Sequence, residues 1–165
     1  MNRRSILLAV AALAAAAAGG WLASRPPAPG DEALILALFD DAARAAEARR
    51  PADAVAGVSE DFRGQGLTRR ELERLVAVNA LRRAWVAVKV AGAQVAVDGE
   101  VATARVMLVL SRGGAGTALA DLLPSQASAW SVEARLRREG GRWQVVSAGW
   151  AQVPLAEALG APAPR

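Results

Sequence analysis

At Ala84 the hydrophobic period of this 165-residue chain changes from that of a helix to that of a strand, and the change sets the order of the fold. Before it, Leu34, Ile35, Leu38, Phe39, Ala42, Ala45 and Ala46 recur at helical spacing behind Asp31, an N-cap residue type. This predicts a helix from Asp31 that stops by Arg50, because Pro51 disfavours a helical residue ahead of it. A short second helix is expected from Ala52 to Val58, with a turn over 59–66. Thr68-Arg69-Arg70-Glu71 has the spacing of a capping box and opens a third helix that reaches about Arg82. Beyond Ala84, Val86, Val88 and Val90 alternate with Trp85, Ala87 and Lys89, and the alternation resumes at Val95 and Val97, which predicts a long strand bent near Gly92. Asp98-Gly99 reads as a two-residue hairpin turn into a strand whose Ala102, Ala104, Val106, Leu108 and Leu110 share a face. Trp130, Val132, Ala134 and Leu136 then lead through Gly140-Gly141 to a return strand, Trp143 to Ala151. Three helices followed by four antiparallel strands make an α+β domain.

The residues that are missing narrow the chemistry. The chain has no Cys, no His and no Tyr, so a disulfide, a thiolate nucleophile, a zinc cluster, a Ser-His-Asp relay and an imidazole base are all excluded. A net charge of +4 and a pI near 11.1 suggest nucleic-acid binding at first sight. The distribution argues otherwise: Arg3, Arg4 and Arg25 precede every acidic residue, so the chain from Asp31 onward carries only +1. With Lys89 as the single lysine, almost nothing titrates between the carboxylates and the guanidinium groups, which accounts for the high pI. No nucleic-acid partner is expected.

Arg3 and Arg4 are followed by an uncharged apolar run up to Arg25, the pattern of an export segment. Ile6 to Leu22 as a helix is roughly 26 Å long, marginal for a bilayer core of about 30 Å. Residues 1–24 therefore read as a signal peptide or an N-terminal membrane anchor. The anchor is the preferred reading because Trp21 and Leu22 extend the run past the small residues that would serve for cleavage. The charge asymmetry places the amino terminus inside and the domain outside, in the periplasm if the source is bacterial, or secreted if the segment is cleaved. Residues 25–30 are a Pro-rich spacer, 31–153 the domain and 154–165 a C-terminal tail.

Three features together resemble the nuclear transport factor 2-like superfamily, which includes ketosteroid isomerase and SnoaL-like cyclases. They are Asp61-Phe62 after the second helix, the long bent strand after the third, and the closing hairpin from Trp130 to Trp150 with its Glu139-Gly140-Gly141-Arg142-Trp143 turn. The resemblance spans roughly Asp31 to Val153. It implies a cone, in which three N-terminal helices pack in a strongly curved antiparallel sheet and leave a pocket at the open end. Members of this fold differ in activity, so the resemblance alone selects none.

Enzymes of the superfamily use Tyr, His and Asp in that pocket, and two of these residue types are missing here. The expectation is thus a non-catalytic accessory domain of the cell envelope, without cofactor or metal, that binds a protein partner or a small apolar ligand. The alternative is an isomerase, cyclase or hydratase of SnoaL type that relies on one pocket carboxylate, for which Asp61, beside Phe62 and Arg63, is the candidate. Asn79 shares a helical spacing with Leu72, Leu75 and Val76 and is expected to point inward, where its amide bonds a ligand or satisfies a strand edge or another helix; Trp130 is a further pocket candidate. Glu133 and Arg135 alternate with apolar neighbours and share a face with Ser131, which suggests a charged sheet surface with cross-strand ion pairs. Trp85 and Met107 are expected on that same face, where they would favour a homodimer. Leu119, Leu122 and Leu123, in the long segment between the second and third strands, must cover a core, a partner or a membrane surface. Arg112-Gly113-Gly114-Ala115-Gly116-Thr117 has the glycines of a phosphate cradle but neither its Lys-Ser/Thr ending nor its strand-to-helix setting.

Overall fold

The computed structural model describes residues 29–82, 85, 87–112 and 127–160. The expected export helix and Leu119, Leu122 and Leu123 lie outside them. The described elements are α1 (Asp31–Glu47), α2 (Pro51–Ala54), α3 (Arg69–Leu81), β1 (Ala87–Asp98), β2 (Val101–Ser111), β3 (Ala127–Glu139), β4 (Arg142–Val153) and α4 (Leu155–Leu159). The strands form one antiparallel sheet in the order β1-β2-β3-β4. Among the described residues no helix is long and apolar enough to cross a membrane.

Helix α1 starts at Asp31 but is not capped by it. Gly30 is the N-cap, and Asp31 is the first helical residue. Its carboxylate accepts hydrogen bonds from Arg138 Nη2 at 2.5 Å and Trp143 Nε1 at 3.1 Å. Arg138 also lies over the Trp143 ring, 4.6 Å from its centre, a cation–π contact. Sequence spacing does not reveal this clamp, because Asp31 lies more than a hundred residues from Arg138 and Trp143. The helix ends at Glu47, and Arg49 adopts a left-handed φ of 57° as the chain turns before Pro51. At α3 the capping box is complete: Thr68 accepts from the Glu71 backbone N–H and Glu71 accepts from that of Thr68.

The first hairpin turn is centred one residue later than the sequence suggests. Asp98 pairs with Val101, so Gly99 and Glu100 are the central residues, and only Gly99 has a positive φ, 58°. That is the pattern of a II′ turn, with Gly at the first central position. Gly140 and Gly141, at 57° and 78°, both have the positive φ of a I′ turn. Register shifts at Val90/Gly92 and at Arg135/Leu136 mark bulges that bend the sheet around the helices.

Both sheet edges are covered in part. Val145 N–H donates to Gly57 O at 2.9 Å, while Ser59 N–H donates back to Val145 O at 3.0 Å, so the segment after α2 runs along β4. At the other edge Glu47 accepts from the Val88 N–H at 3.1 Å and from Lys89 Nζ at 3.0 Å. Such cover suppresses pairing with foreign strands.

The inner face of the sheet packs on the helices through Ile35, Phe62, Ala102, Ala104, Val106, Ala134, Leu136, Trp143 and Val145. A second cluster joins Ala43 of α1, Ala80 of α3, Trp85 and Val88. The third lies on the outer face, where Ala158 of α4 is fully buried against Val109 and Ala129, with Met107 beside them. Part of the C-terminal tail thus forms a helix across the sheet.

Candidate functional site

The candidate site is a partly open cavity of about 230 Å³ between α1, the segment after α2, α3 and the inner face of the sheet. Leu38, Phe39, Ala42, Ala43 and Ala46 supply the α1 wall, and Leu72 and Val76 the α3 wall. Val55, Val58 and Phe62 close one side, and Val88, Leu108, Val132, Ala134, Val145, Ala148 and Trp150 form the sheet side. The space exists because small residues stand where a filled core would hold large ones: Ala42, Ala43, Ala46, Ala134 and Ala148 all face it. Gly57 contributes differently, since a Cβ there would come within 2.7 Å of Leu38 Cγ. Among the described residues no charged side chain is on the wall, and Trp150 carries its only polar side-chain atom.

Of the predicted pocket residues, the structure brings Phe62 to the wall and leaves the others off it. Asp61 is exposed in the turn, with its backbone N–H donated to Ser59 Oγ at 3.2 Å. Arg63 is exposed too, and its guanidinium donates to the Phe62 carbonyl at 2.7 Å. Both point outward because Phe62 between them takes the inward position. Asn79 is half-buried and donates its amide to the Leu75 carbonyl of its own helix at 2.8 Å. The inward stripe of α3 is Leu72, Val76 and Ala80, while Leu75 is 42% exposed, so the spacing that placed Asn79 inward followed the wrong edge of the stripe. Trp130 is half-buried, off the cavity wall, and donates to Ser128 Oγ at 3.2 Å.

Trp85 and Met107 do not share a face. Trp85 is buried against α1 and α3, and its indole N–H donates to the Ala46 carbonyl at 3.0 Å. Met107 lies on the outer face beside the α4 cluster. Glu133 and Arg135 are exposed on that outer face, and Arg105 meets Glu133 across the β2–β3 register at 2.6 Å. Gln94, Thr103, Arg105, Glu133, Arg135 and Ser147 line a shallow hollow of about 530 Å³ there. It is larger than the inner cavity and, like it, open to solvent, and ion pairs at such a surface add little.

Trp150, Leu38, Val88 and Leu108 are cavity residues that sequence reasoning did not single out as site residues. The bulge at Arg135/Leu136 puts Trp143 and Val145, and then Ala148 and Trp150, on one face, which simple alternation along β4 does not anticipate. The alanines that make the space read as ordinary core positions.

The shifted carboxylates lie away from the cavity. Arg138, and then Trp143, hold the Asp31 carboxyl below its ordinary value. Arg137 and Ser59 do the same for Glu139, against the opposing effect of burial, and the Thr68 hydrogen bonds for Glu71. Each is a structural anchor. No group of residues able to hold a metal is present among the described residues.

This arrangement of helices and antiparallel sheet is found in solved structures of one fold. A nuclear transport factor 2-like protein of unknown function from Pseudomonas putida matches with a TM-score of 0.58 at 20% identity, over 73% of this chain and 84% of that one. One with a cystatin-like fold from Novosphingobium aromaticivorans matches at 0.57 and 20% identity, over 78% and 88%. A third, of unknown function with a cystatin-like fold, from Nostoc punctiforme, matches at 0.59 and 15% identity, over 75% and 92%. No protein-family model and no curated protein matches the sequence. The chain has the nuclear transport factor 2-like fold.

Proposed function

We propose that this chain is a non-catalytic binding domain of the cell envelope, tethered by its amino-terminal segment, that takes a small apolar ligand into the inner cavity. The observation that carries the reading is the wall: a partly open space of about 230 Å³ lined, among the described residues, by aliphatic and aromatic side chains without a charge. An apolar cavity of about 150 Å³ stays dry and holds benzene, so this one suits a bicyclic hydrocarbon or a short branched chain. Burial of the ligand's apolar surface supplies the binding free energy. The isomerase-type alternative draws no support from Asp61, which lies outside the cavity, and among the described residues the wall offers no other carboxylate.

The test is thermal unfolding of the full chain with and without indane. A ligand that binds only the folded state raises Tm with concentration, by about 2.7 kcal/mol of stability at a hundred times Kd. Ala148→Leu, which fills the space, is expected to abolish the shift. An unchanged Tm in the wild-type chain overturns the reading. Retention of the chain in the membrane fraction after a high-salt wash tests the tether separately.

A further inference from the structure

Among the described residues seven large hydrophobic side chains are exposed, and three of them, Leu75, Val78 and Leu81, lie on α3 at 42%, 43% and 84% exposure. With 3.6 residues per turn they span an arc of about 120° on the side of the helix away from the Leu72, Val76 and Ala80 stripe. Arg70, Arg74 and the C-cap Arg82 share that side, all exposed and none in an ion pair among the described residues. The one acid on the same side, Glu71, is taken up by the cap, where its carboxylate accepts from the Thr68 N–H at 2.8 Å and from Thr68 Oγ1 at 2.7 Å. An apolar strip threaded with unpaired cations fits a cover that is itself apolar and anionic.

We infer that the outer side of α3 docks on an anionic lipid bilayer, with Leu75, Val78 and Leu81 entering the headgroup region and Arg70, Arg74 and Arg82 meeting lipid phosphates. Arginine side chains are long enough to keep their charged heads at phosphate level while aliphatic neighbours sit deeper. This goes beyond the ligand cavity and rests only on the proposed amino-terminal tether. Residues 25–30 link that tether to α1, and six extended residues reach roughly 20 Å, so the domain stays near the surface. At the effective concentration that such a short link imposes, a strip too small to bind by itself is enough. Charge separates the bilayer from other covers. In a symmetric contact with a second copy the patch meets itself, arginines against arginines. The segment 113–126 offers one acid, Asp121, to three arginines.

Because the chain has no cysteine, a single labelled position can report on α3. The full chain carrying Leu81→Cys is labelled with bimane and reconstituted into phosphatidylcholine vesicles that contain about a third phosphatidylglycerol and some doxyl-labelled lipid. Val101→Cys, on the outer face of the sheet and 52% exposed, is the control. The label at position 81 is expected to shift to the blue and to be quenched by the doxyl lipid, and the label at 101 to do neither. Each of Arg70→Gln, Arg74→Gln and Arg82→Gln is expected to lower the ratio of docked to free domain about fivefold, with the chain still floating with the vesicles. A blue-shifted label at 81 that the lipid does not quench means a protein cover, from a second copy or from 113–126, and overturns the inference. A label at 81 that stays in water, or quenching indifferent to phosphatidylglycerol and to the arginines, overturns it too. In all three cases the tether stands if the chain floats with the vesicles. A chain that does not float overturns the tether, and this inference with it.

Discussion

The two ends of the inner sheet face are packed in different ways. At the hairpin end, Ile35, Ala102, Leu136 and Trp143 are buried to within a few per cent, and the Asp31–Arg138–Trp143 clamp closes the layer. At the α3 end, the same sheet faces the 230 Å³ cavity, and Leu75, Val78 and Leu81 of α3 are 42%, 43% and 84% exposed. One sheet thus carries a filled half and a hollow half. Stability belongs mainly to the first, and the ligand we propose would occupy the second.

The comparison is broken most readily by deletions in the core. Leu136→Ala is expected to cost about 4 kcal/mol and Leu72→Ala, whose side chain already borders empty space, about 2. Urea midpoints at constant m-value give both numbers, and equal losses would mean that the two halves are packed alike. Additions sharpen the same contrast. Ala104→Leu in the filled half should cost about 2 kcal/mol through overpacking, whereas Ala148→Leu, which grows into the cavity, should cost under about 0.5. Thr68→Ala removes the cap of α3 and should cost about 1 kcal/mol, with faster amide exchange at the start of that helix.

The smallest effect belongs to the clamp, whose charged groups are partly exposed. Asp31, Glu71 and Glu139 all titrate below the ordinary carboxyl values of 3.8 and 4.5. The unfolded chain takes up protons first, so their contribution is complete above about pH 5 and is lost as pH falls through the depressed values. Asp31→Asn should flatten part of that acid limb. Between about pH 6 and 9 the urea midpoint should not move, because no side chain titrates there: His, Cys and Tyr are absent.

Much of the architecture was legible because it depends on local signals. The Thr68/Glu71 box, the Gly140-Gly141 turn and the alternation along β2 each act within a few residues, and all appear in the structure. The residue type of Asp31 fits a cap, but its tertiary partners Arg138 and Trp143 decide its position. Asn79 and Trp85 depart from the sequence pattern for a related reason. Which edge of a helical stripe faces inward, and which way a residue at a strand entrance turns, depend on the element packed against it. The cavity was least legible, since a void arises from the sum of small side chains brought together from α1, β3 and β4. Of its wall, only Phe62 stood out as a site residue in the sequence.

The most direct test of the central claim is a methyl NMR titration of the full chain with indane. The account predicts saturable shifts at Leu72, Val76, Val88, Leu108 and Val132, all on the cavity wall, with Val101, 52% exposed at the start of β2, unmoved. Shifts that never saturate, or that are as large at Val101 as at the wall, would contradict it.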